Sequence, residues 1–150
     1  MNGFRFAIVV SRFNEEITEG LLRGAQEFLA EASVPAEAIR IFRVPGAFEI
    51  PLAAKRLGES GDFDAIVCLG CLIKGDTMHF EYIAEAASHG IAQAATSTGI
   101  PMAFGVLTTM TEEQAVERSR PGAANKGREA ASAALDMAKL FRELDEGMGG

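Results

Sequence analysis

The residue types able to do chemistry are concentrated in a few short stretches. Ser11-Arg12-Phe13-Asn14 sets an aromatic ring beside a carboxamide, directly after an apolar run. Val44-Pro45-Gly46-Ala47-Phe48-Glu49 closes a second run with a carboxylate. Lys74-Gly75-Asp76-Thr77-Met78-His79 supplies a glycine, a hydroxyl and one of the 2 histidines. A further run contains Phe104 and ends in Thr108 and Thr109, while Arg118 and Lys126 are basic residues in an acidic chain. Phe13 offers either a platform for a flat ligand ring or a simple rim contact, and position alone divides these evenly. From the residues alone Glu49 reads first as a carboxylate suited to the positive end of a helix, with acceptance of ligand hydroxyl hydrogen bonds as the alternative. Gly75 permits a tight turn before helical amides, a ready anion site to which Thr77 would add a donor. The plainer alternative is that Asp76 or Thr77 caps the helix and His79 faces water. A lone histidine is more often the latter, and the functional reading of His79 is an acid or base working near neutral pH. Arg118 and Lys126 read as solvated charge or as anion ligands.

Other chemistries are excluded. Gly122–Gly127 has the spacing G-x-x-x-x-G, but Arg128 and Glu129 stand where a nucleotide loop needs Lys and Ser or Thr, and no strand precedes it. No G-x-G-x-x-G follows the first apolar run, so a dinucleotide site is not expected. Cys68 and Cys71 form a C-x-x-C pair inside an apolar run that reads as a strand. Residues three apart on a strand point to opposite faces, so a core thiol and a strand-end residue are expected rather than a redox pair. No metal site is expected, because His79 and His89 are the only histidines.

The elements that must position these residues follow from the hydrophobic pattern. Apolar runs at Phe4–Val10, Ala38–Val44, Asp64–Ile73 and Met102–Thr108 predict four strands. Between them lie helical patterns: one capped by Asn14 and opened by Glu15 and Glu16, one over Glu49–Leu57 closed by Gly58, and one over Phe80–Thr98. Thr111-Glu112-Glu113-Gln114 is a capping box opening another. A last helix follows Pro121, carrying Ala130, Ala134, Met137 and Phe141 on one side, with a frayed tail over 146–150. Continuous apolar strands alternating with helices imply a parallel sheet covered on both faces. The expectation is one α/β domain over 1–150, three layers α/β/α with a four-stranded parallel sheet. Both doubly wound strand orders remain open, and the short strand count favours the flavodoxin-like one. In such sheets ligands bind beyond the carboxyl ends of the strands, where the unusual residues cluster.

Composition is consistent with this. With 150 residues the chain is long enough for one domain with a real core. Its 14 Lys and Arg against 21 Asp and Glu give a net charge of −7, the opposite of a nucleic-acid binder. No apolar run approaches the roughly 20 residues of a membrane span, and the N-terminus lacks a signal-peptide layout. A cytoplasmic location is the default.

Taken together, Ile8–Asn14, Val44–Pro51, Gly70–Tyr82, Phe104–Thr108 and Asn125-Lys126-Gly127 resemble the 6,7-dimethyl-8-ribityllumazine synthase family of riboflavin biosynthesis, in order and spacing over nearly the whole chain. The resemblance implies condensation of 5-amino-6-ribitylaminopyrimidinedione with 3,4-dihydroxy-2-butanone 4-phosphate, with no cofactor or metal. By the same resemblance, Phe13 stacks on the pyrimidine beside Asn14, and Ala47, Phe48 and Glu49 line the ribityl chain. Cys71, Leu72 and Ile73 contact the ring through backbone. Gly75, Asp76 and Thr77 hold phosphate with Arg118, and His79 moves protons. Phe104, Arg118 and Lys126 would come from an adjacent subunit of a homo-oligomer, a pentamer or twelve pentamers in a hollow shell of sixty subunits. Riboflavin synthase is an implied partner. The alternatives are an archaeal-type riboflavin synthase, or a non-catalytic flavin- or lumazine-binding assembly protein.

Overall fold

The computed structural model of the chain describes residues 3–75 and 78–149. Among these residues, four strands, β1 (Phe6–Ser11), β2 (Ile39–Val44), β3 (Ala65–Ile73) and β4 (Met102–Thr109), form one all-parallel sheet in the order β2-β1-β3-β4. This is the flavodoxin-like order, and it places the reversal of winding at β1. From there the chain first moves outward to β2 and then crosses to β3 on the other side. β1 is buried along its full length and β3 at every residue but Ile73, which is why both read as unbroken apolar runs. β2 is an edge, and its exposed Arg40 and Arg43 discourage pairing with another sheet.

Among the described residues, five α-helices, α1 (Glu15–Glu31), α2 (Ile50–Glu59), α3 (His79–Thr98), α4 (Glu112–Ser119) and α5 (Lys126–Gly149), connect and cover the strands. Strand alternation divides the core into two layers. Phe6, Ile8 and Val10 pack with Leu21, Leu29, Ala131 and Leu135 of α1 and α5. Ala7 and Val9 pack on the other face with Ile50, Ala54, Ala87 and Ile91 of α2 and α3. Cys71 belongs to the first layer and Cys68 to the second, as expected of residues three apart.

Several boundaries differ from the sequence reading. Phe4 is buried but precedes β1, and Ala36–Ala38 is a 3-10 turn before β2. α2 runs through Gly58 to Glu59, because that glycine fits against Thr98 and Met102 rather than ending the helix. α3 begins one residue early, at His79. α5 begins only at Lys126, and helical backbone continues to Gly149 through the stretch expected to fray. The box at Thr111 forms: Gln114 N–H donates to Thr111 Oγ1 at 3.2 Å, and Thr111 N–H to Gln114 Oε1 at 3.3 Å.

Candidate active site

The carboxyl ends of β2, β1 and β3 lie side by side at one end of the parallel sheet, where folds of this winding have their crevice. Beyond Ser11 the β1–β2 ladder continues as Arg12 N–H to the Val44 carbonyl (2.8 Å) and Phe13 N–H to the Pro45 carbonyl (3.1 Å). These bonds set the Phe13 turn beside the turn that follows β2. Phe13 and Phe48 are 61% and 59% exposed, a large apolar area left in water at a place where three strand ends converge. Ala47–Glu49 forms a 3-10 turn with Ala47 buried and Phe48 and Glu49 exposed. Cys71 and Leu72 are buried at the end of β3, Ile73 is half-buried, and Gly75 is exposed. His79 lies exposed at the first position of α3. Asp76 and Thr77 lie outside the described residues.

Asn14 works differently from the expected cap. Its backbone is left-handed (φ 59°, ψ 51°) and its side chain makes no cap hydrogen bond to α1. Instead Nδ2 donates to the Cys71 carbonyl at 2.9 Å, joining the start of α1 to the end of β3. An asparagine tolerates this conformation better than most residues, so one position turns the chain sharply after Phe13 and links two strand ends.

Lys74, the first residue after β3, is held twice. Lys74 N–H donates to the Thr109 carbonyl at 2.9 Å, and Lys74 Nζ reaches Glu81 Oε2 at 3.1 Å across the start of α3. The Lys74 hydrogen bond, with a smaller contribution from the backbone of Glu81, holds the Glu81 carboxyl below the usual carboxylate range. The Cys68 and Cys71 thiols are pushed up by burial, to about 12 and about 11, so neither supplies a thiolate near neutral pH. Their contribution at the crevice is backbone and packing.

A second group lies along the outer edge of the sheet. Phe104, 48% exposed on β4, lines a cleft of 490 Å³ with Thr108, Gln114, Arg118, Lys126 and Glu129. Arg118 donates one N–H to the Gln114 carbonyl at 3.1 Å, which orients the guanidinium and leaves its other donors to the cleft. Lys126 Nζ pairs with Glu129 at 2.7 Å. None of the residues lining this cleft is among the predicted site residues of the crevice. Within one subunit the predicted site residues therefore fall into two groups: Phe13, Asn14, Ala47, Phe48, Glu49, Cys71, Leu72, Ile73, Gly75 and His79 at the crevice, and Phe104, Arg118 and Lys126 at the edge. Sequence reasoning missed the Lys74–Glu81 pair and Gln114 as the support of Arg118. Gln114 appeared in the sequence only as a member of the capping box, and a bond across a strand-to-helix turn carries no periodic signal. Among the described residues, no three His, Cys, Asp or Glu side chains gather as a metal would require.

Residues 3–142 match the family model of 6,7-dimethyl-8-ribityllumazine synthase. The chain is 52% identical over 142 residues to the 6,7-dimethyl-8-ribityllumazine synthase 1 of Caulobacter vibrioides, an alignment covering 95% of this chain and 93% of that protein. It is 50% identical over 142 residues to the 6,7-dimethyl-8-ribityllumazine synthase of Syntrophus aciditrophicus, covering 95% of this chain and 92% of that protein.

Proposed function

The chain belongs to the 6,7-dimethyl-8-ribityllumazine synthase family, and from that premise we propose that it condenses 5-amino-6-(D-ribitylamino)pyrimidine-2,4-dione with 3,4-dihydroxy-2-butanone 4-phosphate to 6,7-dimethyl-8-ribityllumazine. This is a transferase step of riboflavin biosynthesis. The substrate amine attacks the ketone to give a Schiff base with loss of water, phosphate is eliminated, and ring closure expels a second water. The nucleophile belongs to the substrate, so the two cysteines have no chemical part to play. The protein's contribution is to hold two molecules together, which removes much of the entropic barrier, and to stabilise charge developing on the departing phosphate.

In this reading Phe13 stacks on the pyrimidine, and Asn14 fixes the turn that presents it. Ala47, Phe48 and Glu49 line the ribityl chain, with the Glu49 carboxylate accepting its hydroxyl hydrogen bonds. The backbone of Cys71, Leu72 and Ile73 meets the ring. Gly75, Asp76 and Thr77 bind phosphate with Arg118 and Lys126, and His79 shuttles protons during imine formation and elimination. No cofactor or metal takes part.

Family membership carries the reaction, and the separation of the two groups supports a site shared between subunits. The crevice holds aromatic rings, a carboxylate and the histidine, whereas the cations and Phe104 line a different surface of the same subunit. A site needing both is completed when the edge of one subunit meets the crevice of the next, in a homo-oligomer read here as a pentamer or a shell of twelve pentamers. Riboflavin synthase is the proposed partner and the cytoplasm the proposed compartment. No described helix is long and apolar enough to cross a membrane.

The test is to mix purified protein with both substrates and follow the lumazine chromophore. A rate above that of the uncatalysed mixture is expected, and no acceleration overturns the assignment. Riboflavin formed from lumazine alone would indicate the dismutating enzyme, and tight binding without turnover a non-catalytic assembly protein. Sedimentation showing an active monomer would overturn the shared site.

A further inference from the structure

The two cations of the edge cleft sit on different helices, Arg118 near the end of α4 and Lys126 at the start of α5. Between them lies the loop 120–125, whose Pro121, Gly122, Ala123 and Ala124 are all exposed. An exposed loop of small residues does not by itself hold two charged side chains at a fixed separation. The residue that closes it is Asn125, 1% exposed and one of four buried polar residues among those described.

Both N–H donors of the Asn125 side chain are engaged, shared among three carbonyls, and its oxygen accepts one bond. Nδ2 donates to the Ser119 carbonyl at 3.0 Å, the Arg120 carbonyl at 2.9 Å and the Gly20 carbonyl at 3.2 Å, while Oδ1 accepts the Arg128 N–H at 3.0 Å. The oxygen thus caps the first turn of α5, and the amide gathers the terminal carbonyls of α4 onto the side of α1. The partners touch the cationic residues directly in sequence: Ser119 follows Arg118, and Asn125 precedes Lys126.

Glycines leave room for this junction. A Cβ at Gly20 would stand 2.6 Å from the Ser119 carbonyl oxygen, and one at Gly24 would overlap the Asn125 amide. A Cβ at Gly127 would overlap the Leu21 carbonyl. α1 therefore presents a groove at Gly20 and Gly24 that seats the α4–α5 loop, with Asn125 as its anchor. We propose that Asn125 is a positioning residue for the reaction, setting the spacing of Arg118 and Lys126 so that both reach the substrate phosphate. The inference rests on the proposed phosphate-binding role of those two cations.

The experiment compares three variants of the assembled enzyme with the parent. Asn125→Ser keeps a capping oxygen but cannot span to the three carbonyls. Gly20→Ala pushes on the Ser119 carbonyl and displaces the loop while leaving the Asn125 side chain itself unsubstituted. Leu29→Ala opens a cavity in the same helix α1, at a buried position that lines neither the cleft nor the loop. The first two are expected to raise KM for the butanone phosphate by about tenfold or more, the scale of one or two lost hydrogen bonds. They should weaken competitive inhibition by inorganic phosphate by the same factor, with KM for the pyrimidine within about twofold of the parent. Leu29→Ala should lower the unfolding midpoint without changing the ratio of the two KM values. If Asn125→Ser fails to fold, Gly20→Ala decides the matter by the same readout. Equal changes in both KM values, or a loss of stability alone, overturn the positioning role. Arg118→Ala is the parallel arm. If it leaves KM for the butanone phosphate unchanged, the phosphate assignment is wrong and the positioning role falls with it. If it raises that KM while folded Asn125→Ser and Gly20→Ala do not, the positioning role alone is overturned.

Discussion

Replacing Asn14 with glycine and with alanine separates two contributions made by one residue. The side chain donates to the Cys71 carbonyl at 2.9 Å, and the backbone sits at φ 59°. Either substitution removes the hydrogen bond, which costs about 1 kcal/mol at a partly buried site. Glycine accepts the left-handed backbone without strain, but it frees the unfolded chain and adds about 0.5 kcal/mol. Alanine must be held in the left-handed region at a further cost of about 1–2 kcal/mol. The expected losses are therefore about 1.5 kcal/mol for Asn14→Gly and about 2–3 kcal/mol for Asn14→Ala. Urea unfolding at one fixed subunit concentration measures them, since assembly makes apparent stability depend on concentration. The neighbouring Phe13 turn gives a functional readout: KM for the pyrimidine should rise in the same order, glycine before alanine. Equal stability of the two variants would refute the backbone argument, and a glycine variant as stable as the parent would refute the hydrogen-bond argument.

Burial of Cys68 and Cys71 raises their folded-state values above the ordinary 9.0, to about 12 and about 11. Below pH 9 both folded and unfolded chains keep these protons; above it the unfolded chain releases them first, so their contribution to stability is lost as pH rises through the folded values. Unfolding midpoints should fall between pH 9 and 11 and fall less in Cys68→Val, while iodoacetamide should modify the native thiols far more slowly than the denatured ones. Thr111→Ala removes one half of the α4 capping box and should destabilise by about 1 kcal/mol. Amide exchange should then quicken first in α4, and unchanged exchange there would show the cap to be dispensable.

The layers of the fold were legible because burial writes itself into composition. β1 and β3 are buried on both faces and read as continuous apolar runs, and the residues around Thr111 announced a helix start through local bonds three residues apart. Features that depend on distant partners were read wrongly or not at all. Asn14 looked like a helix cap, yet its side chain is spent on a carbonyl 57 residues away. Gly58 looked like a stop, but it lies against Thr98 and Met102 and the helix passes through it. The loop before Lys126 looked like an ordinary connection, although its anchor is a buried asparagine bonded to a helix more than a hundred residues earlier.

What the sequence by itself determined is the set of elements and the residues at their ends, since periodicity and capping act over a few neighbours and survive in a linear string. Its motifs also carried the family resemblance that the comparisons bear out. The short strand count favoured the flavodoxin-like order that is observed, whereas the left-handed turn at Asn14 and the seat of the α4–α5 loop on α1 were decided only by tertiary structure. The family resemblance already assigned Phe104, Arg118 and Lys126 to a neighbouring subunit; the tertiary structure supplies a physical basis, because strand order makes β4 an outer strand and groups those three residues along it. The physical reason is the same in each case: these features are contacts between residues far apart in the chain, and such contacts exist only once the chain has packed.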